Sequence, residues 1–265
     1  MFNKRRLPKG VPSFKEVRQD GYVYVDKTDL VWRMANEEKF NYLSRPRRFG
    51  KSMLVSTLQC YFEGRKDLFE GLRIMQLEKD WKQYPVIRFD MSLAGNTADG
   101  ITKYFERVFR GYEGVYDFKL REDETVTDHF VTLIHTAYAK TGMPVVVLVD
   151  EYDAPLLHSW HTVSHDACTE VYRSVFSVLK AESESLRFVF LTGITKFNNL
   201  SLFSALNNLN NLSFDPEYAT ICGITRQEIE EVFQPELERM AEANGWTVAT
   251  TLEKLKEYYD GYHFS

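Results

Sequence analysis

The stretch "NYLSRPRRFGKSML", Asn41 to Leu54, decides how the chain folds. Phe40–Ser44 reads as a short strand, and "KSMLVSTLQCYF" from Lys51 reads as a helix. Met53, Leu54, Thr57, Leu58 and Tyr61 recur on its inner face at helical spacing. A strand that enters a helix through Gly50-Lys51-Ser52 is the setting of a phosphate-binding loop, whose backbone N–H groups point inward at the helix mouth. There Gly50 permits close approach of the phosphates, Lys51 reaches the β- and γ-phosphates, and Ser52 ligates Mg²⁺. The usual pattern begins with a glycine, where this chain has Arg45 followed by Pro46. Proline's restricted φ can fix the turn in place of that glycine. Gly-Lys-Ser alone is common, and a basic surface patch is the competing reading, so a second motif must decide.

That motif is "PVVVLVDEYD", from Pro144 to Asp153. Val145–Val149 form an unbroken apolar run, the mark of a strand covered on both faces in a parallel sheet. It ends in Asp150-Glu151, and open α/β sheets bind ligands at the carboxyl ends of their strands. In that position Asp150 holds Mg²⁺, usually through water, and Glu151 polarises an attacking water as general base. Asp150 follows Lys51 by 99 residues, room for the intervening βα unit that a nucleotide fold requires. Together the two motifs carry the nucleotide reading, where either alone would not.

Outward from these motifs the chain alternates strands and helices. "PVIRFDMS" from Pro85 and "RFVFLTG" from Arg187 read as further strands; helices are expected near Thr97–Arg110, Thr125–Lys140 and Cys168–Glu182. Such alternation implies a three-layer α/β sheet. From Thr225 the pattern turns helical. A Thr225…Glu228 capping box opens one helix that runs to Gly245, and a last helix covers about Leu252–Tyr259. The expected division is a core over residues 1–224 and a helical lid or subdomain over 225–265. The Asn-rich "KFNNLSLFSALNNLNNLSF" keeps an apolar face through Leu202, Phe203, Leu206 and Leu209 and is expected to be structured.

Composition narrows the rest. Hydrophobic content of 44% and charged content of 27% suit a soluble globular chain. No apolar run is long enough to span a membrane, and the basic start lacks the apolar stretch of a secretory signal. Cys60, Cys168 and Cys222 show no paired spacing, which favours reduced thiols and a cytoplasmic location. Residues 1–51 hold 13 Lys/Arg against 6 Asp/Glu, and the remainder 20 against 32. A basic front feeding into Lys51 attracts a polyanion; it leaves nucleic acid open as a partner, although the acidic remainder argues against a dedicated nucleic-acid coat.

The motifs in combination resemble the bacterial AAA-ATPase-like family, whose members often carry a PD-(D/E)XK nuclease-like domain after the ATPase part. The resemblance rests on "LPKGVPSFKEVRQDGYVYVDKTDL", "RPRRFGKS", "VDEYDAPL", "LTGITKFNNLSLFSALNNL" and "YDGYHFS", and so covers nearly the whole chain. It implies that Arg-Pro-Arg-Arg-Phe-Gly-Lys-Ser is the family's own form of the loop. It also implies the additional-strand class of P-loop NTPase with a mainly parallel sheet. The "RFVFLTG" strand then inserts between the loop strand and "VVVLVDE", with a polar residue at its tip sensing the γ-phosphate. Thr192 is the candidate, with Thr195 and Lys196 behind it; a strand-end hydroxyl capping its neighbour is the alternative. The family continues beyond "GYHFS" into its nuclease-like part, so a longer natural chain is expected. "YVYVDKTDL" becomes an entry element near the nucleotide base, where helix capping by Asp26 or Thr28 is the simpler role.

The expected site is therefore Lys51, Glu151 and Thr192 for catalysis, and Pro46, Arg47, Arg48, Phe49, Gly50, Lys51, Ser52 and Met53 for nucleotide binding. Ser52 and Asp150 are the expected ligands of Mg²⁺. ATP and ADP are the expected small-molecule partners; a homo-oligomer stays open and no membrane is expected. Arg47 and Arg48 either stabilise transition-state charge or hold the loop by pairing with acidic residues, the second being preferred for Arg48. Two alternatives are set aside. His158, His161, His165 and Cys168 fall at helical spacing but lack an acidic or Cys-x-x-Cys anchor, and are read as part of a mobile loop rather than a metal site. Asp29…Glu37-x-Lys39 mimics a nuclease motif, yet "VWRMANEEKF" reads as helix. Mg-dependent ATP hydrolysis is the first functional expectation and a nucleotide-dependent switch with little turnover the second; a small-molecule kinase, which has no need of Glu151, is the weakest.

Overall fold

A computed structural model describes residues 5–194 and 209–259. Their elements run α1 (Phe14–Gln19), α2 (Thr28–Glu37), β1 (Phe40–Ser44), α3 (Lys51–Phe62), α4 (Ile74–Leu77), β2 (Val86–Asp90), α5 (Ala98–Tyr116) and α6 (Val126–Thr141). They continue through β3 (Val145–Asp150), α7 (Ala154–Ser159), α8 (His165–Ala181), β4 (Leu186–Gly193), β5 (Asn210–Asn211), α9 (Arg226–Val232), α10 (Gln234–Asn244) and α11 (Val248–Tyr259).

The strands form one sheet in the order β2-β3-β4-β1-β5, every pair parallel. β4 lies between β3 and β1, as the resemblance implies. Side chains alternate across the sheet because successive strand residues point to opposite faces. Val145, Val147, Val149, Val189, Leu191 and Phe89 pack under α5, α6, α7 and α8. Val146, Leu148, Phe188, Phe190 and Leu43 pack against the opposite layer, which includes α1, α2 and α3. Both faces are covered, which is why β3 is apolar throughout instead of alternating. At the edge, β5 is only two residues long, Asn210 and Asn211, within the Asn-rich stretch. Leu209 packs on the core beside it; Leu202, Phe203 and Leu206 lie outside the described residues.

Two expectations need correction. The single helix from Thr225 to Gly245 is two, α9 and α10, because Pro235 stands in the first turn of α10. Proline has no N–H to donate and its ring crowds the carbonyl four residues back, so the helix restarts. Both predicted ends hold: the Thr225–Glu228 capping box is formed, and Gly245 closes α10 in a left-handed conformation. The second correction concerns the histidines. The segment is not a loop throughout: His158 lies in the last turn of α7, His161 in the turn that follows at φ 61°, and His165 begins α8, so no single helix aligns them either. Cys168 is buried, with its thiol on the Asn96 carbonyl, and among the described residues no group of three His, Cys, Asp or Glu side chains is placed to hold a metal. The nuclease mimic also stays rejected, since Glu37 belongs to α2 and Lys39 lies just outside it.

Candidate functional site

The carboxyl ends of β1 and β3 carry the two motifs. Gly50 caps α3 at φ 88°, a left-handed conformation that favours glycine, and the Leu54 N–H closes the first helical turn on its carbonyl. Arg48 also lies in the left-handed region, at φ 68°. Lys51 is only 6% exposed, and its ammonium donates to the Pro46 carbonyl at 3.0 Å, folding the loop around itself. Burial lowers the Lys51 pKa, while Asp150 and Glu151 partly restore it.

Arg45 occupies the position of the usual first glycine as a buried brace. Its guanidinium donates to the carbonyls of Ser44 and Ser213 at 3.0 Å and lies against those of Tyr218 and Ala219. A second tie runs from the Gly223 N–H to the Phe49 carbonyl at 2.8 Å. The segment 213–223 thus fixes a turn that a glycine would otherwise make freely. Arg47 and Arg48 are exposed. Neither pairs with an acidic side chain among the described residues, so the pairing preferred for Arg48 is not found.

Asp150 is 2% exposed and accepts a hydrogen bond from the Glu151 N–H at 3.0 Å, and the Ser52 side chain favours its ionised form. Burial raises its pKa, against the Ser52 hydrogen bond and the charge of Arg88. Glu151 is half-buried at φ 48°. Its pKa is raised first by burial, then by the charges of Asp150 and Asp90, with Lys51 and Arg47 opposing. Asp90, not singled out from the sequence, ends β2 directly opposite Asp150 in the parallel register. That register is the signal that would have found it.

Thr192 is placed differently from expectation. It is fully buried, its hydroxyl donates to the Leu43 carbonyl at 2.8 Å, and it lines neither cavity described below. Its hydroxyl caps the neighbouring strand, the alternative role given to it from sequence. Beside it, a Cβ added to Gly193 would come within 2.5 Å of an Asp153 carboxylate oxygen, so β4 ends pressed against the segment that follows β3. Thr195 and Lys196 lie outside the described residues.

Two open cavities meet at the loop. One, of about 770 Å³, is lined by Arg47, Arg48, Gly50, Lys51, Ser52, Met53 and Glu151 on one side and by Pro8–Pro12 on the other. The second, of about 420 Å³, is mainly apolar. Its walls are Leu7, Val11, Val23–Val25, Phe49, Met53, Leu54, Ile221–Ile224 and Phe233, with Lys27 and Thr57 among the polar groups. The entry segment borders this cavity, and Asp26 accepts from the Thr28 N–H at 3.0 Å just before α2. The contributions of 7–12, 221–224 and Phe233 were not visible in the sequence.

A parallel α/β sheet with a lysine-bearing loop at the end of β1 and an acidic pair at the end of β3 defines the P-loop, AAA-like class of fold. A family model described as AAA-ATPase_like, "Predicted AAA-ATPase", matches residues 8–203. The chain belongs to the AAA-ATPase-like family. It is 33% identical over 271 residues to an uncharacterized protein in the vnfD 5′ region of Azotobacter chroococcum mcd 1, covering 99% of this chain and 49% of that protein. The chain thus spans about half the length of the curated relative it matches. Among solved structures, Cdc6p from Pyrobaculum aerophilum overlaps 88% of this chain and 49% of its own, at 12% identity and a TM-score of 0.39.

Proposed function

We propose that the chain is a Mg²⁺-dependent ATPase domain whose triphosphate lies in the larger cavity and whose base enters the apolar one. The observation that carries this reading is the meeting of Lys51, the Ser52–Asp150 pair and Glu151 at one sheet edge. Ser52 and Asp150 fit a hard cation: two oxygen donors at the carboxyl edge of the sheet, beside a cavity with room for phosphate and water ligands. They would hold Mg²⁺, which when bound supplies neutralising charge at the β- and γ-phosphate oxygens. Lys51 orients the same oxygens, and Gly50 lets the backbone approach them. Glu151 accepts the proton of a water whose oxygen bonds to the γ-phosphorus. The bond from that phosphorus to the β-bridging oxygen breaks, and ADP and phosphate leave. A raised pKa suits Glu151 to this work, because a base nearer neutrality takes a proton with more driving force.

The test is Glu151→Gln. Phosphate release is expected to fall by about 10²-fold or more, the usual contribution of a general base, with Mg·ATP affinity retained. Unchanged release would remove hydrolysis by Glu151 and leave a nucleotide-dependent switch. One observation favours that second reading: Lys27 lines the apolar cavity and pairs with Glu228 on α9, which ties the cavity wall to the C-terminal helices.

A further inference from the structure

Resting on the nucleotide reading above, we infer that Lys9 is a second phosphate-binding lysine, carried on a tethered strap formed by residues 7–12. The strap is the wall of the larger cavity that faces Lys51 and Ser52, and Lys9 is its charged side chain there. It is held at both ends. On one side the Val23 N–H donates to the Arg6 carbonyl at 2.8 Å. On the other, the chain enters α1, where fully buried Phe14 donates its N–H to the Ser56 hydroxyl at 2.9 Å. Ser56 belongs to α3, the helix that begins at Lys51, so one end of the strap is fastened to the element that carries the loop lysine. Pro8 and Pro12 flank Lys9 and restrict the backbone between these anchors, which lowers the entropy lost when the strap settles on a ligand.

The position along the nucleotide follows from which walls each cation shares. Lys9 and Arg48 line both the larger cavity and the apolar one, whereas Lys51, Ser52, Arg47 and Glu151 line only the larger. Lys9 therefore stands where the two cavities join, at the α- and β-phosphates, while Arg47 stands at the γ end beside Glu151. Lys9 is exposed and makes no ion pair with a described residue, so its ammonium is available and its removal leaves the fold intact.

The experiment is calorimetric titration of Mg·ATP and Mg·ADP into wild type, Lys9→Ala, Lys9→Arg and Lys51→Ala. Lys9→Ala is expected to weaken ATP and ADP by the same factor, about tenfold for a charge-assisted contact at a partly solvated mouth, and Lys9→Arg to restore both. Affinities of Lys9→Ala within twofold of wild type, with Lys51→Ala weakened, would overturn the role of Lys9 and leave the nucleotide site standing. A loss confined to ATP would overturn the α/β placement. A folded wild type that takes neither nucleotide would overturn the nucleotide reading and this inference with it.

Discussion

As the Mg²⁺ ligand proposed above, Asp150 has to be ionised, and it is buried where ionisation is costly. Its pKa is raised in the folded protein, chiefly by burial. A raised pKa favours the fold most below the ordinary carboxylate range, and that contribution is lost as pH rises through the folded value. At neutral pH, then, the Asp150 charge strains the nucleotide-free protein. Asp150→Asn keeps the shape and an acceptor for Ser52, and should raise the nucleotide-free melting temperature at pH 7–8 by a few degrees, since about 1 kcal/mol moves a domain of this size by roughly 2–4 °C. The gain should vanish in melts below about pH 4, where Asp150 itself is protonated, and Mg-dependent nucleotide binding should be lost throughout. Glu151 offers a kinetic counterpart. As the proposed general base it acts when ionised, so phosphate release should fall as pH drops through a value above the usual carboxylate range. Asp90→Asn removes one of the charges that raise this pKa, so the acid limb of the pH–rate profile should move to lower pH. An unmoved limb would remove Glu151 as the titrating base.

The phosphate loop is stable as an element because another segment holds its turn. Arg45 binds the carbonyls of Ser44 and Ser213, and Gly223 reaches back to Phe49. Arg45→Ala would leave those buried carbonyls without their donor and should cost about 2–3 kcal/mol in urea denaturation, with weaker ATP binding. Arg45→Lys should not restore it, because one ammonium cannot span the same fork of acceptors. Arg45 also shows where the sequence stops being informative. β3 and the α3 entrance could be read from apolar runs and glycine placement, which are local and periodic. The break between α9 and α10 was equally local, since it is written in Pro235, although the long helical pattern obscured it. Arg45 binds backbone carbonyls about 170 residues away, and backbone acceptors leave no mark in a sequence. Thr192 differs for a related reason. Whether a strand-end hydroxyl faces a ligand or the next strand depends on register, and the register sets Leu43 opposite it. The apolar cavity was the least legible part, because its walls come from segments 7–25, 49–57 and 221–233, which fold together without a shared pattern.

For the whole molecule, these distant walls mean that the apolar cavity is bounded by both ends of the described chain. Lys27, only 8% exposed, donates to the Thr220 carbonyl and pairs with Glu228 at 3.0 Å, and Arg5 pairs with Glu236 on α10. Glu228 also completes the capping box that starts α9, so one carboxylate serves the helix start and the tie to the entry segment. If this ion pair couples the C-terminal helices to the cavity, the effects of removing its two partners cannot be additive. Lys27→Met leaves Glu228 and a carbonyl without their cation, and Glu228→Gln leaves a buried ammonium without its anion. In a double-mutant cycle by chemical denaturation, each single change is expected to cost about 2–3 kcal/mol and the pair less than their sum, with a coupling of about 1–2 kcal/mol. Hydrogen exchange gives the location. In Lys27→Met the amides of 226–232 should lose protection while β3 and β4 keep theirs, because the sheet core lies away from this contact. Uniform loss across the sheet, or strict additivity in the cycle, would mean that the C-terminal helices are not coupled to the cavity through Lys27, and the switch reading would lose its structural basis.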